Sequence, residues 1–253
     1  MPRLMLTDDS WTLLSRIMSL TGRVYNKPEH RMTLEGILYR MRTGIPWRDL
    51  PKEFGAWNTV FRRFNAWLKK GLMMEVFQFL NRFNDPEWLF IDGSIVKTHQ
   101  DGASVKAPSE QAIGKSRGGN STKIHLAVDS GGLPVYFELS GGQVNDVIHG
   151  ESLILGSPKA KIVVADKGYD SQTLRESIQH KGAQHVIPRK RNSKQGNEDI
   201  DWCLYRYRHL VENAFLNIKK YHAIATRYDK LARNDQSVVA LAFALMWLPM
   251  WVD

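Results

Sequence analysis

The chain has 253 residues, of which 43% are hydrophobic and 24% are charged, and this composition excludes a mostly disordered chain. Its formal net charge of +9 favours a polyanionic partner, with nucleic acid first and an anionic membrane surface second. The single cysteine, Cys203, excludes an intramolecular disulfide and a zinc site built from several cysteines. Because the first residues also lack the apolar run of a signal peptide, we expect a cytoplasmic protein.

Residues 1–85 have the pattern of a basic, all-helical domain. They carry 14 Lys plus Arg against 8 Asp plus Glu, so most of the excess positive charge lies there. Apolar residues recur at helical spacing after Asp8, between residues 34 and 41, and between residues 57 and 70. A connection that contains glycine and proline separates the second helix from the third, as in a helix-turn-helix module. We therefore predict an all-α, helix-turn-helix-like DNA-binding domain.

The third of these helices, residues 57–70, is the candidate recognition helix. Polar side chains lie in its first half, where contacts to base edges usually occur. These side chains are Asn58, Thr59, Arg62 and Arg63. The aromatic and aliphatic residues of the same helix, which are Trp57, Val60, Phe61, Phe64 and Trp67, are expected to pack in the core. The alternative is that the four polar residues form a plain solvated face.

After Pro86 the pattern changes to short segments rich in β-branched and aromatic residues. Strands are predicted at residues 88–92, 122–129, 133–139 and 161–166, with a hairpin turn at residues 130–132. Helices are predicted at residues 146–155, 171–181, 202–220 and 235–248. This order predicts an α/β domain with a mixed sheet over residues 86–253. The apolar segment 238–252 is too short to span a bilayer, so we expect a buried helix and no membrane partner.

Two aspartates come at the ends of predicted strands. Asp92 ends one apolar run and precedes Gly93, and Asp166 ends another and precedes a Lys-Gly pair. In α/β sheets the carboxyl ends of strands border the crevice that binds ligands. Either aspartate alone is most simply a turn residue. Because two of them occur in one domain, a metal site becomes as plausible as two turns.

A third acid, Glu212, lies on a predicted helix with a polar face. At 100 degrees per residue, Tyr205, Arg208, Glu212 and Lys219 fall within about 60 degrees of one another. Leu210, Val211, Ala214, Phe215 and Ile218 form the opposite, apolar face. The polar face alone is also typical of a solvated helix with pairs such as Arg208 and Glu212 at i and i+4.

These four residues carry a family resemblance. Tyr205, Arg208, Glu212 and Lys219 match, at every position and spacing, the Y-R-E-K signature of bacterial insertion-sequence DDE transposases, and the chain resembles the insertion-sequence-5 family within that superfamily. Further strings follow the family's order, namely Asp92-Gly93-Ser94, Gly114 to Gly119 running into Thr122 to His125, Gly142-Gln143, and Ala165 to Asp170. The segment from Gly44 to Pro51 resembles the family's leading domain.

The resemblance implies an RNase H-like catalytic core, a mixed sheet flanked by helices, in which Asp92, Asp166 and Glu212 are the catalytic acids and the metal ligands. Two Mg²⁺ ions are expected, with Mn²⁺ as a possible substitute, because paired divalent ions stabilise both oxygens of a phosphodiester exchange. The implied function is a DNA transposase that binds terminal inverted repeats, cleaves DNA strands and transfers them. Its partners would be double-stranded repeat and target DNA, and it would act on DNA as a homodimer or larger assembly. No protein partner is evident, and DNA binding would associate the chain with the nucleoid.

Basic residues outside the acids are candidate DNA contacts. Arg208 and Lys219 could bind phosphates, and Tyr205 could stack on a displaced base. Further candidates are Lys115, Arg117 and Lys123, around two glycines of a basic loop and the strand that follows it, and Arg189, Lys190 and Arg191 in a second basic loop. The alternatives are that Arg208 and Lys219 orient Glu212 and that the loops are simply solvated. We expect His125 to be a hydrogen-bonded histidine inside the sheet, since no second histidine is near it in sequence.

Two other functional classes remain open. A DNA-binding repressor descended from such an enzyme would keep the basic helical domain without catalysis. An RNase H-like nuclease would share the metal chemistry and differ in not joining strands. The presence of all three acids together with Arg208 and Lys219 favours the transposase.

Overall fold

The structure, a computed structural model, describes residues 2–25, 27–103 and 107–252. Contacts between residues divide the described chain into two compact units. The first unit consists of the described residues of 1–82, 99–104 and 218–253, and the second of those of 83–98 and 105–217. Each unit is therefore assembled from separate stretches of the chain.

Helices dominate the first unit. Its leading part contains α1 (Asp8–Leu20), α2 (Glu29–Thr43), α3 (Trp57–Lys69) and α4 (Leu72–Leu80). Thr7 caps α1 by accepting a hydrogen bond from the Ser10 backbone N–H. The leading region is therefore all-helical, which confirms this part of the predicted fold class.

The connection between α2 and α3 is longer than the turn of a helix-turn-helix motif. It covers residues 44–56, whereas that motif joins its helices with about three or four residues. Gly44 ends α2 in the left-handed region (φ 72), and two short 3₁₀ turns, Trp47–Asp49 and Lys52–Phe54, follow. The Trp47 ring lies 5.3 Å from Phe64, between ring centroids, so the connection packs onto α3. The predicted tight turn is therefore replaced by a folded segment with its own apolar anchors.

The C-terminal residues pack with the first unit, and this differs from the predicted domain of residues 86–253. Helix α11 (Ala232–Trp247) is buried along most of its length and packs on α4. Phe77 and Phe243 meet with ring centroids 5.9 Å apart, and the Trp251 indole N–H donates to the Leu80 carbonyl at 3.0 Å. The apolar segment found in the sequence is thus the core of the helical unit. No described helix is both long and apolar enough to cross a membrane.

A mixed sheet forms the centre of the second unit. Its strands are β1 (Trp88–Thr98), β2 (Gly114–Ser116), β3 (Gly119–Val128), β4 (Pro134–Gly141), β5 (Ile162–Ala165) and β6 (Gln184–Val186). The strand order is β2-β3-β1-β5-β6. β4 lies outside this path and pairs with β3. β3 runs antiparallel to β1 and β4, whereas β5 runs parallel to β1 and β6 parallel to β5. This confirms the predicted α/β class with a mixed sheet, the arrangement that an RNase H-like core requires.

Helices follow the strands in the second unit. They are α6 (Asp146–Gly156), α7 (Gln172–His180), α8 (Trp202–Tyr205) and most of α9 (His209–Lys219). The remaining short elements, α5 (Gln100–Ala103), α10 (His222–Ala225) and β7 (Thr226–Arg227), belong to the first unit. Gly132, in the left-handed region with φ 77, closes the β3–β4 turn; a Cβ there would lie 3.3 Å from the Leu210 side chain. The turn therefore supports the start of α9.

The predicted single helix over residues 202–220 is interrupted. A 3₁₀ turn, Arg206–Arg208, separates α8 from α9. Because a 3₁₀ turn has three residues per turn rather than 3.6, a wheel drawn at 100 degrees per residue does not hold across it. Tyr205 and Arg208 therefore precede the helix that carries Glu212. Within α9 the predicted apolar residues are buried, except for Leu210, which is half-buried.

Candidate active site

Asp92 lies in the middle of β1, where the strand leaves its parallel neighbour. β5 pairs with β1 only as far as Ile91, and Asp92 is the next residue. Its Oδ1 accepts a hydrogen bond from the Gly93 N–H at 2.8 Å. Burial raises the pKa of Asp92 to about 6, and the charges of Asp166 and Asp146 also raise it. The Gly93 hydrogen bond and the Arg208 charge act in the opposite direction and lower it. Asp92 is thus a carboxyl that a nearby cation would stabilise in its ionised form.

Asp166 comes next to Asp92 across the sheet. The register pairs Ile91 with Ala165, so the two aspartates follow on adjacent parallel strands, which are spaced about 4.8 Å apart in a sheet. Asp166 starts the 3₁₀ turn Lys167–Tyr169, and its Oδ1 accepts from the Gly168 N–H at 2.7 Å. The turn fixes the direction of the carboxylate at the end of β5.

Arg208 joins the third predicted acid to the first. Its Nη1 donates to Asp92 Oδ2 at 2.8 Å, and its Nη2 donates to Glu212 Oε1. Burial lowers the pKa of Arg208, but the charges of Asp92 and Glu212 outweigh burial and raise it overall. The neighbouring Tyr207 ring lies 5.7 Å from that of Trp88, between centroids, and anchors the 3₁₀ turn to β1. One guanidinium therefore bridges two of the three predicted catalytic acids.

The acids suit a divalent cation in ligand type but are not gathered around one point. Mg²⁺ and Mn²⁺ prefer oxygen ligands, and Asp92, Asp166, Asp146 and Glu212 offer only carboxylate oxygens. Asp146 Oδ1 is buried and makes no hydrogen bond within the described residues. Over that same part of the chain, no three Asp, Glu, His or Cys side chains lie close enough together to hold a metal ion. Arg208 supplies the positive charge between Asp92 and Glu212 instead.

Asp146 is a site residue that the sequence analysis missed. It is the first residue of α6, and its Oδ1 lies 3.1 Å from Lys123 Nζ. The sequence Asn145-Asp146 before a helix is most simply a capping pair, so no sequence signal separated it from an ordinary helix start. The structure brings it beside β1, where it contacts Gly93.

His125 is buried inside the sheet as expected, but it has a histidine neighbour. Its Nε2 shares a 2.8 Å hydrogen bond with Ser140 Oγ, while its Nδ1 makes none. The His149 ring stacks on it with centroids 4.1 Å apart. Burial lowers the pKa of His125 to about 3, with help from His149 and Lys123, so the ring is neutral at physiological pH. The contact was missed because His149 approaches from α6, 24 residues later in the chain.

Some predicted DNA contacts of the second unit are exposed, whereas others are hydrogen-bonded within the protein. Lys115 and Arg117 are exposed on the short β2–β3 hairpin, and Lys190 and Arg191 are exposed in the second basic loop. Arg189 instead pairs with Asp199, with Nη2 donating to Oδ2 at 2.7 Å. Lys123, which falls at the start of the strand predicted at residues 122–129, is also engaged. Lys123 lies in β3, is 8% exposed and donates to the Val144 carbonyl at 2.7 Å.

Residues of the signature helix and of α3 show the same division. Tyr205 is half-buried, and its ring centroid lies 5.5 Å from that of Trp202. Lys219 ends α9 and is half-buried, and burial lowers its pKa.

On α3, Asn58, Thr59 and Arg62 are exposed, whereas Arg63 Nη1 donates to Thr33 Oγ1 at 2.9 Å. Of the residues predicted to be core, Val60, Phe64 and Trp67 are buried, whereas Trp57 and Phe61 are exposed because α3 turns them toward solvent.

Two family models match the chain. Residues 6–77 match a family described as "Putative transposase of IS4/5 family", and residues 84–247 match one described as "Transposase DDE domain". The second match alone covers well over half of the chain and includes Asp92, Asp166 and Glu212.

Several curated proteins are similar in sequence. The "Putative transposase for insertion sequence element IS6501" of Brucella ovis is 33% identical over 128 residues, which cover 51% of this chain and 98% of that protein. A protein of Sinorhizobium fredii called y4sN is 30% identical over 128 residues, covering 50% and 96% respectively. The "Putative transposase for insertion sequence element IS402" of Burkholderia cepacia is 28% identical over 136 residues, covering 49% of this chain and 62% of the relative.

Solved structures of transposases are distantly similar. The piggyBac transposase synaptic complex with hairpin DNA aligns with a TM-score of 0.37 and 15% identity. The alignment covers 75% of this chain and 43% of that chain, so this chain spans less than half of its length. A pre-cleavage Mos1 transpososome aligns with a TM-score of 0.29 and 10% identity, covering 91% of this chain and 81% of that chain.

Proposed function

This chain belongs to the insertion-sequence DDE transposases, and from that membership we propose that it binds the terminal inverted repeats of its element and carries out metal-dependent cleavage and transfer of DNA strands. One observation carries the catalytic part of the proposal. Asp92 and Asp166 follow each other on adjacent parallel strands, and Arg208 links Asp92 to Glu212. The proposed catalytic acids are these three.

The proposed metal ligands are Asp92, Asp166 and Glu212. When bound, two divalent cations would stabilise the attacking and leaving oxygens of the phosphodiester. Asp92 suits this role because burial keeps its carboxylate poorly solvated, so that it gains from a cation. Since Arg208 holds both Asp92 and Glu212, we propose that its guanidinium releases at least one carboxylate when cations bind. It would then face a DNA phosphate, which it can contact through two nitrogens.

The proposed DNA contacts come from both units. Lys115, Arg117, Lys190 and Arg191 are exposed cations of the catalytic unit and suit phosphates. Asn58, Thr59 and Arg62 are exposed polar residues of the helical unit and suit base edges. Tyr205, Lys219, Lys123, Arg189 and Arg63 are half-buried, buried or already paired, and support DNA binding less directly. Because two element ends must be cut and joined together, we propose a homodimer or larger assembly on DNA.

A plasmid assay tests this function. A supercoiled plasmid carrying the DNA that flanks the protein's own gene is incubated with the full chain in Mg²⁺ or EDTA, and nicks are mapped. We expect Mg²⁺-dependent nicks at paired inverted repeats. Glu212→Gln should reduce them at least about a hundredfold, since a bound metal contributes several kcal/mol to the transition state. Glu176→Gln, which changes an exposed carboxylate on α7, should cut like the wild type.

Other outcomes identify the alternatives. Binding without nicks in any divalent cation would favour a repressor. Scattered nicks that depend on Mg²⁺ but not on the repeats would favour a general nuclease. Equal cleavage by Glu212→Gln and the wild type would remove Glu212 from the catalytic acids.

The helical unit offers a matched pair of arginines for testing DNA recognition. Arg62→Ala should weaken binding to a terminal-repeat duplex by about tenfold, because a base or phosphate contact contributes about 1–3 kcal/mol. Arg63→Ala should leave DNA binding nearly unchanged and lower the melting temperature, because Arg63 is bonded to Thr33. Fluorescence anisotropy with repeat and scrambled duplexes measures the first effect, and thermal unfolding the second. An equal loss of DNA affinity in both variants would argue against α3 as the reading helix.

A further inference from the structure

Asp146 packs directly against the backbone next to Asp92. A Cβ built on Gly93 would lie 2.1 Å from Asp146 Oδ1, far inside van der Waals contact. Any larger residue at this position would therefore displace the Asp146 carboxylate. The contact ties the first residue of α6 to the part of β1 that carries Asp92.

Lys123 from β3 holds the Asp146 carboxylate, and His125 from the same strand packs beside it. Lys123 Nζ lies 3.1 Å from Asp146 Oδ1 and also donates to the Val144 carbonyl at 2.7 Å. His125 is fully buried, and its Nδ1 lies 3.6 Å from the same Oδ1. The register places His125 opposite Gly93, so the histidine, the glycine and the carboxylate share one face of the sheet.

Three buried polar atoms around this carboxylate make no hydrogen bond within the described residues. They are His125 Nδ1, Asp146 Oδ1 and the Tyr169 hydroxyl. Tyr169 is fully buried in the turn that follows Asp166. Nearly all buried polar atoms in proteins are hydrogen-bonded, so three unpartnered atoms close together call for an explanation. The cluster connects β1, β3, α6 and the Asp166 turn.

Two other roles for the cluster are excluded by its surroundings. Asp146, His125 and Ser140 are arranged in the order of a nucleophilic triad, but Ser140 is 7% exposed and donates to the Gly141 carbonyl. A substrate therefore cannot reach its hydroxyl. A separate cation site at Asp146 Oδ1 is disfavoured because the Lys123 ammonium already lies beside that oxygen.

We propose that Asp146 is a positioning residue of the catalytic site, which, held by Lys123 and packed beside His125 and Gly93, fixes the backbone that presents Asp92. This proposal rests on the proposed function, because Asp92 matters here as a metal ligand. Residues that orient metal ligands affect metal affinity without touching the metal. The carboxylate of Asp146 acts through its shape and hydrogen-bonding capacity.

Mn²⁺ binding to the full chain without DNA tests the proposal. Isothermal titration calorimetry is carried out on the wild type, Asp146→Ala, Asp146→Asn, Asp92→Asn and Glu151→Gln, with the melting temperature of each recorded. We expect Asp146→Ala to weaken Mn²⁺ binding by about tenfold or more, as for other residues that support metal ligands. Asp146→Asn, which keeps the shape and an acceptor oxygen for Lys123, should stay within about threefold of the wild type. Glu151→Gln, an exposed change on the same helix, should bind normally.

A double-mutant cycle separates positioning from general loss of stability. Gly93→Ala should weaken Mn²⁺ binding because its methyl group displaces Asp146. In Gly93→Ala/Asp146→Ala the methyl group has room, so the double variant should bind no worse than Asp146→Ala alone. Additive losses would show that Gly93 acts independently of Asp146 and would overturn the proposal.

The remaining outcomes are equally decisive. If Asp146→Asn loses as much affinity as Asp146→Ala, the charge of Asp146 is required, and the proposal that its shape and acceptor oxygen suffice is overturned. If both bind Mn²⁺ like the wild type, Asp146 has no role at the site. If Asp92→Asn itself binds Mn²⁺ normally, the proposed function fails rather than this inference alone.

Discussion

Replacing Asp92 by Asn is expected to abolish strand cleavage, with a loss of at least about a thousandfold, or about 4 kcal/mol in the activation free energy. The amide keeps the shape of the side chain but removes the charge that would bind a cation. DNA binding should be retained because Asp92 is not one of the proposed DNA contacts. Single-turnover cleavage of the mapped repeat ends measures the rate, and anisotropy measures the affinity for DNA. Asp101→Asn, an exposed change, serves as the control.

The same carboxyl sets the direction of a pH effect. Burial raises the pKa of Asp92 to about 6, so protons compete with cations below that pH. Mn²⁺ affinity of the wild type should therefore fall by about tenfold per pH unit below 6. Without metal, the raised pKa contributes stability that is complete below the ordinary value and is lost as the pH rises through 6. Calorimetric titrations between pH 5 and 8 test the first effect. A Mn²⁺ affinity that does not change with pH would contradict the proposed role of Asp92 as a metal ligand.

Replacing Arg227 by Met is expected to cost about 3–5 kcal/mol of the free energy of unfolding, because it leaves a buried carboxylate without its cation. Arg227 is fully buried, Asp235 is 3% exposed, and Nε lies 3.5 Å from Oδ2. Burial raises the pKa of Asp235 to about 7, so the carboxyl has little tolerance for losing its partner. Thermal unfolding should show a decrease of roughly 10 °C. Arg233→Met, at an exposed position of α11, should unfold like the wild type.

The double variant Arg227→Met/Asp235→Leu distinguishes an ion pair from simple packing. With both charges gone, no carboxylate is left uncompensated, and much of the lost stability should return. If the double variant is no more stable than Arg227→Met alone, the loss comes from the hydrogen bonds and packing of the Arg227 side chain rather than from Asp235.

The positions of strands and helices could be predicted where buried residues recur in a regular pattern. They were predicted less well where pairing between backbones determines how far a strand extends. β1 was predicted to end at residue 92, but it continues to Thr98 because its backbone pairs with β3 as far as Lys97. Gly93 and Ser94 carry no apolar signal, so periodicity could not detect this extension. The last residues, predicted to belong to the domain of residues 86–253, pack with the helical unit for a related reason. Which core an apolar helix joins depends on contacts between distant parts of the chain, which its own sequence does not contain.

The three candidate catalytic acids could be named from the sequence because their motif combines residue type with spacing. Their neighbours could not. Lys123 was a candidate DNA contact at the start of a predicted strand, but strand pairing turns it inward toward Asp146. Arg208 was placed on one helix face with Glu212, and the two do interact, but a 3₁₀ turn rather than a continuous helix brings the guanidinium to Asp92 as well. These contacts arise from long-range pairing and from local winding, and neither is visible in residue spacing.

The association of α11 with α4 also has a consequence for folding during protein synthesis. The apolar surface of α4, including Phe77, is completed by a helix that begins only at Ala232. At about 5–20 residues per second, a ribosome needs on the order of ten to thirty seconds to travel from Leu80 to Ala232. During that time the nascent N-terminal helices lack part of their core and present an apolar surface. A chain that stops before α11 would keep that surface exposed, so premature termination would favour aggregation or degradation over a free DNA-binding fragment.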